Sequence, residues 1–272
     1  PTQTRAPIGA ARGVAQEMSG PAPCGGCGAK LGAGALHTIL GGQPGDDAAI
    51  LQIGGVQQVI STDHLRGFAE DPALVARAAA VHAMGDIWAM GARPQTALAT
   101  VILPRMAARL QGAWLDEVMA AAQAVFADEG VTVVGGHSSM GAELTLGFTI
   151  TGVLDRAPIT LAGDALILSR GIGTGVVLAG EMQLRARGPE VAAVWGQMGR
   201  PQGAAASILA PVAHAMTDVT GFGLAGHLGN ICTASALGAE VTLADVPLLP
   251  GALRLSAAGV RSTLWDQNRA AL

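Results

Sequence analysis

The chain has 272 residues, enough for one large or two modest domains with real cores. Half of the residues are hydrophobic, 13% are charged, 3% are aromatic and 39 are glycine, so the apolar mass is mostly Ala, Val, Leu and Ile broken by Gly turns, as in an α/β protein. A net charge of −4 offers no basic stripe for nucleic acid. No apolar run reaches the roughly 18 residues of a membrane helix, and the three cysteines, Cys24, Cys27 and Cys232, are too few and too odd for a disulfide scaffold.

In chain order, residues 1–23 carry no sustained period and read as a disordered arm or linker. Residues 24–45 form a glycine-rich region with Cys24, Cys27 and Lys30, a short helix over 35–40 and a second loop over 41–47. Residues 46–156 alternate strands and helices. Strands are predicted over 48–53, 56–62, 95–103, 131–134 and 143–154. Asp71-Pro72 starts a helix, with Asp as N-cap and Pro at its first position. That helix should run to about Met90 and close on Gly91, and a second should span 107–128. Pro158 and Gly163 mark the boundary to a second domain, 157–272. There, strands are predicted over 165–169, 213–217 and 241–243, with helices over 176–185, 189–198, 201–210 and from Gly223 to about Leu237. The start at Pro1 without Met and the end at Leu272 in an Ala-rich stretch suggest a segment of a longer protein, and no signal peptide is visible, so a cytoplasmic location is the expectation.

Chemistry is signalled first by acidic residues. Asp46, Asp47, Asp63, Asp86 and Asp218 sit at element ends or beside glycines in apolar surroundings. Buried carboxylates are costly unless paired or bound to a cation, and Mg²⁺ takes such oxygen ligands while bridging to nucleotide phosphates. The alternative, that each caps a helix or forms a turn, holds equally well for any one alone. Asp86 is the exception, because Asp is a poor helix former and this one lies inside an apolar helix. His82, one turn earlier on the same face, is either its partner or a satisfied core histidine. Gly135-Gly136-His137-Ser138-Ser139 reads as a loop after a strand, where N–H groups can face an anion. Gly171-Ile-Gly-Thr-Gly175 reads as a plain tight turn. Cys24-Gly-Gly-Cys27-Gly-Ala-Lys30 lacks a second Cys pair for zinc. A mobile loop carrying a reactive thiol beside a phosphate-binding lysine suits it better.

These motifs resemble the selenophosphate synthetases (selenide, water dikinases). Gly26-Cys27-Gly-Ala-Lys30 is similar to the family's catalytic loop, Asp46-Asp47-Ala-Ala and Ser61-Thr62-Asp63 to its metal motifs, and Gly85-Asp86-Ile-Trp-Ala-Met-Gly91 to its acidic helix. Gly135-Gly136-His137-Ser138 resembles its nucleotide loop, and Met216-Thr-Asp-Val-Thr-Gly-Phe-Gly-Leu-Ala-Gly-His227 is the most specific string. The likeness covers roughly residues 24–268 in matching order. It implies the α+β, α/β fold of the aminoimidazole-ribotide synthetase superfamily. There the N-terminal domain binds ATP and Mg²⁺ and shares a β-barrel with its copy in a homodimer, and a C-terminal α/β domain packs beside it. It implies metal ligands at Asp47, Asp63, Asp86 and Asp218, and nucleotide contacts from Lys30, Pro44, Gly45, Asp46, Asp63, Asp86, Gly136, His137 and Ser138. It also implies action of Cys27 and Lys30 at the transferred phosphate. The reaction implied converts ATP, selenide and water to selenophosphate, AMP and phosphate. Neither nucleic acid nor a membrane is an expected partner. The chain departs from the family in Ala29, where many relatives have a second Cys, and in ending before a late Cys-Asp-Pro-Gln motif, which suggests truncation. A fusion behind a flavin-dependent oxidoreductase domain in the parent protein is a further expectation. Related enzymes acting on a purine precursor, thiamine phosphate or a hydrogenase maturation partner share the Asp-rich site, and a truncated, non-catalytic nucleotide-binding protein is the alternative of another class.

Overall fold

The computed structural model describes residues 47–154 and 162–270. The first stretch builds one five-stranded sheet and the helices that cover it. Its strands are β1 (Ala49–Ile53), β2 (Val56–Arg66), β3 (Arg93–Pro104), β4 (Thr132–Gly141) and β5 (Thr145–Val153), in the order β1-β2-β5-β3-β4. All neighbours are antiparallel except β3 and β4, the pair joined through a helix, as a parallel connection requires. Helix α1 (Pro72–Ala89) follows β2, and helix α2 (Ala108–Asp128) links β3 to β4.

The alternation of β3 shows where the core lies. Ala97, Ala99, Val101 and Leu103 are buried, whereas Leu98 and Thr100 between them are exposed, the period of a strand with one covered face. Helix α1 lies on the covered face of β2 and β5. It has no polar stripe, and from Val75 to Met90 only Arg77 and His82 escape full burial. A helix enclosed on all sides reads as apolar all round, which is why Ala dominates it. Gly152 brings α1 close, since a Cβ there would stand 2.5 Å from Ile87 Cγ2 and 3.0 Å from Arg93 O. From α2, Phe126 meets Phe148 of β5 edge to face at 4.9 Å, and each ring is worth about 1.5–3 kcal/mol of burial.

The helix boundaries follow the expected signals. Asp71 Oδ1 accepts from Leu74 N at 3.0 Å, and Gly91 turns the chain out of α1 with φ 68°. Two strands run further than expected, β2 by four residues past Thr62 and β4 through Gly141 instead of stopping at Val134. Gly135–Ser139 is thus a strand segment, paired with Leu98–Ile102 of β3, and not a loop. Glycines lowered the strand signal there, yet β3 lends them a ready template.

Residues 162–270 contain α3 (Thr174–Met182), α4 (Gly188–Met198), α5 (Gly203–Leu209), α6 (Gly223–Ser235), α7 (Ala252–Ala257) and α8 (Trp265–Ala270). A second core, centred on Val177, Val194 and Leu255, joins α3, α4 and α7. The strands expected over 165–169, 213–217 and 241–243 do not form. Among the described residues this half pairs only through a bridge between Ile172 and Leu248, and Leu243–Asp245 is a 3₁₀ turn. Those segments are short and apolar enough for strands, but among the described residues none of them pairs into a ladder, and a lone strand is not stable.

Candidate functional site

The covered face of β2 presents Val59, Ser61, Asp63 and Leu65 in alternation. Successive inward positions on a strand lie about 6.8 Å apart, and four residues along a helix rise about 6 Å. Two polar groups at i and i+2 on β2 can therefore meet two at i and i+4 on α1. Ser61 Oγ donates to Asp86 Oδ2, and His82 Nε2 lies 3.0 Å from Asp63 Oδ2. The sequence leaves His82 as either a partner of Asp86 or a core histidine, and the structure sets it against Asp63 of β2. The contacts of Asp86 with Ser61 and of His82 with Asp63 both run from the helix to β2. Asp63 and His82 are almost enclosed, at 10% and 13% side-chain exposure. Their contact has ion-pair distance but lacks hydrogen-bond alignment, leaving the buried His82 Nε2 without an aligned partner.

A third carboxylate arrives from the other half of the chain. Asp218, in the loop before α6, packs on α1 at Gly85, where a Cβ would lie 3.0 Å from Asp218 Oδ2. The glycine beside Asp86 thus clears the space that lets Asp218 approach the helix. Asp47, just before β1, completes the convergence. Asp47, Asp218 and His227 each place a ligand-type atom within 4.8 Å of the others. His227 is buried at 5% exposure, and its Nε2 accepts the Thr220 N–H at 3.2 Å while Nδ1 lies 3.3 Å from Thr217 Oγ1. With the imidazole so engaged, the donors left for a cation are carboxylate oxygens. That set fits a hard divalent ion such as Mg²⁺ and not a thiophilic metal.

Gly136, His137 and Ser138 lie on β4, against Ala99, Thr100 and Val101 of β3. With Leu115 and Met119 of α2 they line a shallow groove that includes none of the four carboxylates. The structure therefore gathers Asp47 with Asp218 and Asp63 with Asp86 around α1 and β2, and sets the β4 residues apart from both pairs. Cys27, Lys30, Pro44, Gly45 and Asp46 lie outside the described residues. Sequence reasoning missed the contributions of Ser61 and Gly85. The signal for Ser61 was its spacing of two from Asp63 on a strand, matched against the spacing of four on α1. Gly85 gave none, because a helical glycine announces no neighbour.

Comparison with known proteins bears on this arrangement. Residues 45–154 match the AIR synthase related protein N-terminal domain and residues 162–258 the C-terminal domain. The crystal structure of thiamine monophosphate kinase from Aquifex aeolicus resembles the chain with a TM-score of 0.68 at 17% identity, covering 84% of this chain and 80% of that one. Hydrogenase maturation protein HypE from E. coli does so with a TM-score of 0.62 at 17% identity, covering 76% and 67%. These likenesses show the fold. The chain is built from the two domains of the AIR synthase related proteins. A selenide, water dikinase of Burkholderia pseudomallei is 34% identical over 270 residues, 91% of this chain and 75% of the relative. One of Dechloromonas aromatica is 33% identical over 266 residues, 90% and 76%. The chain belongs to the selenide, water dikinase family.

Proposed function

We propose that this protein is a selenophosphate synthetase, converting ATP, selenide and water to selenophosphate, AMP and phosphate. The observation that carries the reading is the convergence of Asp47 and Asp218 within 4.8 Å, from the two halves of the chain, beside the helix that holds Asp86. Family membership names the chemistry, and this site supplies what phosphoryl transfer needs. Such a reaction depends mostly on positioning and on neutralising phosphate charge. Asp47, Asp63, Asp86 and Asp218 are the metal ligands in this reading, and bound Mg²⁺ would neutralise phosphate charge there. Asp63 and Asp86 also face the nucleotide, together with Lys30, Pro44, Gly45, Asp46, Gly136, His137 and Ser138. Cys27 and Lys30 act on the transferred phosphate. Residues 46–156 form the ATP- and Mg²⁺-binding, dimerising domain and 157–272 the C-terminal domain.

A homodimer accords with the open face and edge of the sheet, where Val134 is 59% and Met140 64% exposed, because an uncovered apolar edge strand is a template for pairing. No helix among the described residues is long and apolar enough to cross a membrane.

The test is anaerobic phosphorus NMR of the purified protein with Mg-ATP, with and without selenide. Selenophosphate and AMP should appear together, and only with selenide. AMP formed at the same rate without selenide would overturn the reading. Cys27→Ser should keep ATP binding and lose the selenide-dependent product; an unchanged product rate would remove Cys27 from the chemistry.

A further inference from the structure

His227 carries chemistry that the proposed reaction does not absorb. It is the only buried residue of α6, a polar ring enclosed at 5% exposure, and burial of that kind is costly unless both nitrogens are engaged. Its partners come from the loop that delivers Asp218. Thr220 N–H donates to Nε2 at 3.2 Å, and the Thr220 hydroxyl lies 3.3 Å from the same nitrogen. Thr217 Oγ1, one residue before Asp218, lies 3.3 Å from Nδ1. The Phe222 ring packs on the imidazole with centroids 5.8 Å apart.

A backbone N–H can only donate, so the bond from Thr220 fixes Nε2 as an acceptor. In a neutral imidazole the proton then sits on Nδ1, which becomes a donor. An imidazole with Nε2 engaged and Nδ1 protonated has no lone pair left for a metal. His227 lies within ligand distance of two carboxylates and yet is not a ligand. We propose that His227 is a positioning residue. It ties Thr217 and Thr220 to the first turns of α6, and so holds Asp218 against Gly85 in the orientation that binds the cation. The strand expected over 213–217 does not form, so the segment before Asp218 is a loop. A second tie, Asn268 Nδ2 donating to Gly221 O at 2.9 Å, holds its far end from α8. The residue after Asp218 is an apolar Val219, and the fixed points on either side, at 217 and 220, hold the backbone that carries the carboxylate.

This inference rests on the reading of Asp218 as a metal ligand, and the experiment separates the two. Mn²⁺ binding to the whole protein with a non-hydrolysable ATP analogue is measured by the loss of the free-ion EPR signal for wild type, Asp218→Asn, His227→Ala and His227→Gln. Asp218→Asn, which removes a ligand carboxylate, should weaken Mn²⁺ at least as much as His227→Ala, for which about ten- to a hundredfold is the usual cost of removing an outer-shell partner. The double variant should lose little more than Asp218→Asn alone. His227→Gln, whose amide oxygen can accept from Thr220 N–H, should recover most of the loss. Wild-type binding in Asp218→Asn would overturn the ligand reading. Weakened binding in Asp218→Asn with wild-type binding in His227→Ala would overturn the positioning role alone. Nitrogen NMR of the wild-type histidine side chains needs no variant to fold. It should show His227 neutral, protonated on Nδ1, and unchanged on adding Mg²⁺ with the analogue. A proton on Nε2, or a ring nitrogen shifted by direct metal coordination, would overturn the proposal.

Discussion

At the scale of single residues, the site depends on what is missing at position 85 as much as on what is present at 86. Ala is favoured over Gly inside a helix by about 0.8–1 kcal/mol, so Gly85→Ala should leave the fold as stable or raise its melting temperature. The new methyl would stand 3.0 Å from Asp218 Oδ2 and push that carboxylate away by a few tenths of an ångström. The expected outcome is a stable protein with a several-fold higher Mg²⁺ requirement for ATP turnover. A titration of rate against Mg²⁺, run beside a thermal melt, checks both halves of the statement. Ser61→Ala is the companion case. It leaves Asp86 enclosed without the hydroxyl that donates to it, and loss of a hydrogen bond to a charged group costs about 1.5–3 kcal/mol. A melting point unchanged from wild type would show that Asp86 is held by other means.

At the scale of elements, the C-terminal core is pinned by one carboxylate. Glu190 accepts Arg254 Nη2 at 2.5 Å and Arg254 Nε at 3.1 Å, and also takes the Arg187 N–H at 2.8 Å. The guanidinium hydrogen bonds first, and the backbone N–H second, hold its carboxyl below the usual carboxylate range. A depressed folded pKa gives stability that is present above the unfolded value and is lost as pH falls through the folded one. Glu190→Gln should therefore lower the melting temperature at neutral pH, and the gap to wild type should close under acid conditions. A constant gap down to low pH would assign the loss to packing. Elements of this kind were legible to different degrees. Helix α1 could be read from Asp71-Pro72 and Gly91, because caps are local chemistry. Strand β4 was read too short, because Gly135 and Gly136 carry no side chains to show an alternation. The carboxylates stood out as misplaced charges in apolar runs, but their partners did not. Which groups meet across α1 and β2 is decided by packing; the matching spacings on strand and helix allow the pairing, but they do not say that this strand meets this helix.

For the whole molecule, the sheet is covered on one face by α1 and α2 and carries apolar side chains on the other. Ile53 of β1, Leu98 of β3 and Val134 of β4 are 53%, 46% and 59% exposed. If this surface pairs with a second copy, Val134→Lys with Leu98→Glu should shift the protein from dimer to monomer in sedimentation while the monomer stays folded. A wild-type chain that already sediments as a monomer would remove the dimer from the proposed function.

The match between strand and helix spacing limits how much charge this wall can carry. The two repeats differ by about 0.8 Å per step, and the inward positions flanking Ser61 and Asp63 are Val59 and Leu65, buried at 0% and 2% exposure. Helix and strand thus act as a vernier that comes into register for two steps, with apolar contacts sealing both ends. A third acidic group cannot be added along this seam without exposing the core. Further carboxylates have to be imported from elsewhere in the chain, as Asp47 and Asp218 are. Assembly of the site is therefore a report on the folding of both halves: the carboxylates of α1 and β2 can form with the sheet, but the proposed cation site closes only when the loop before α6 has docked.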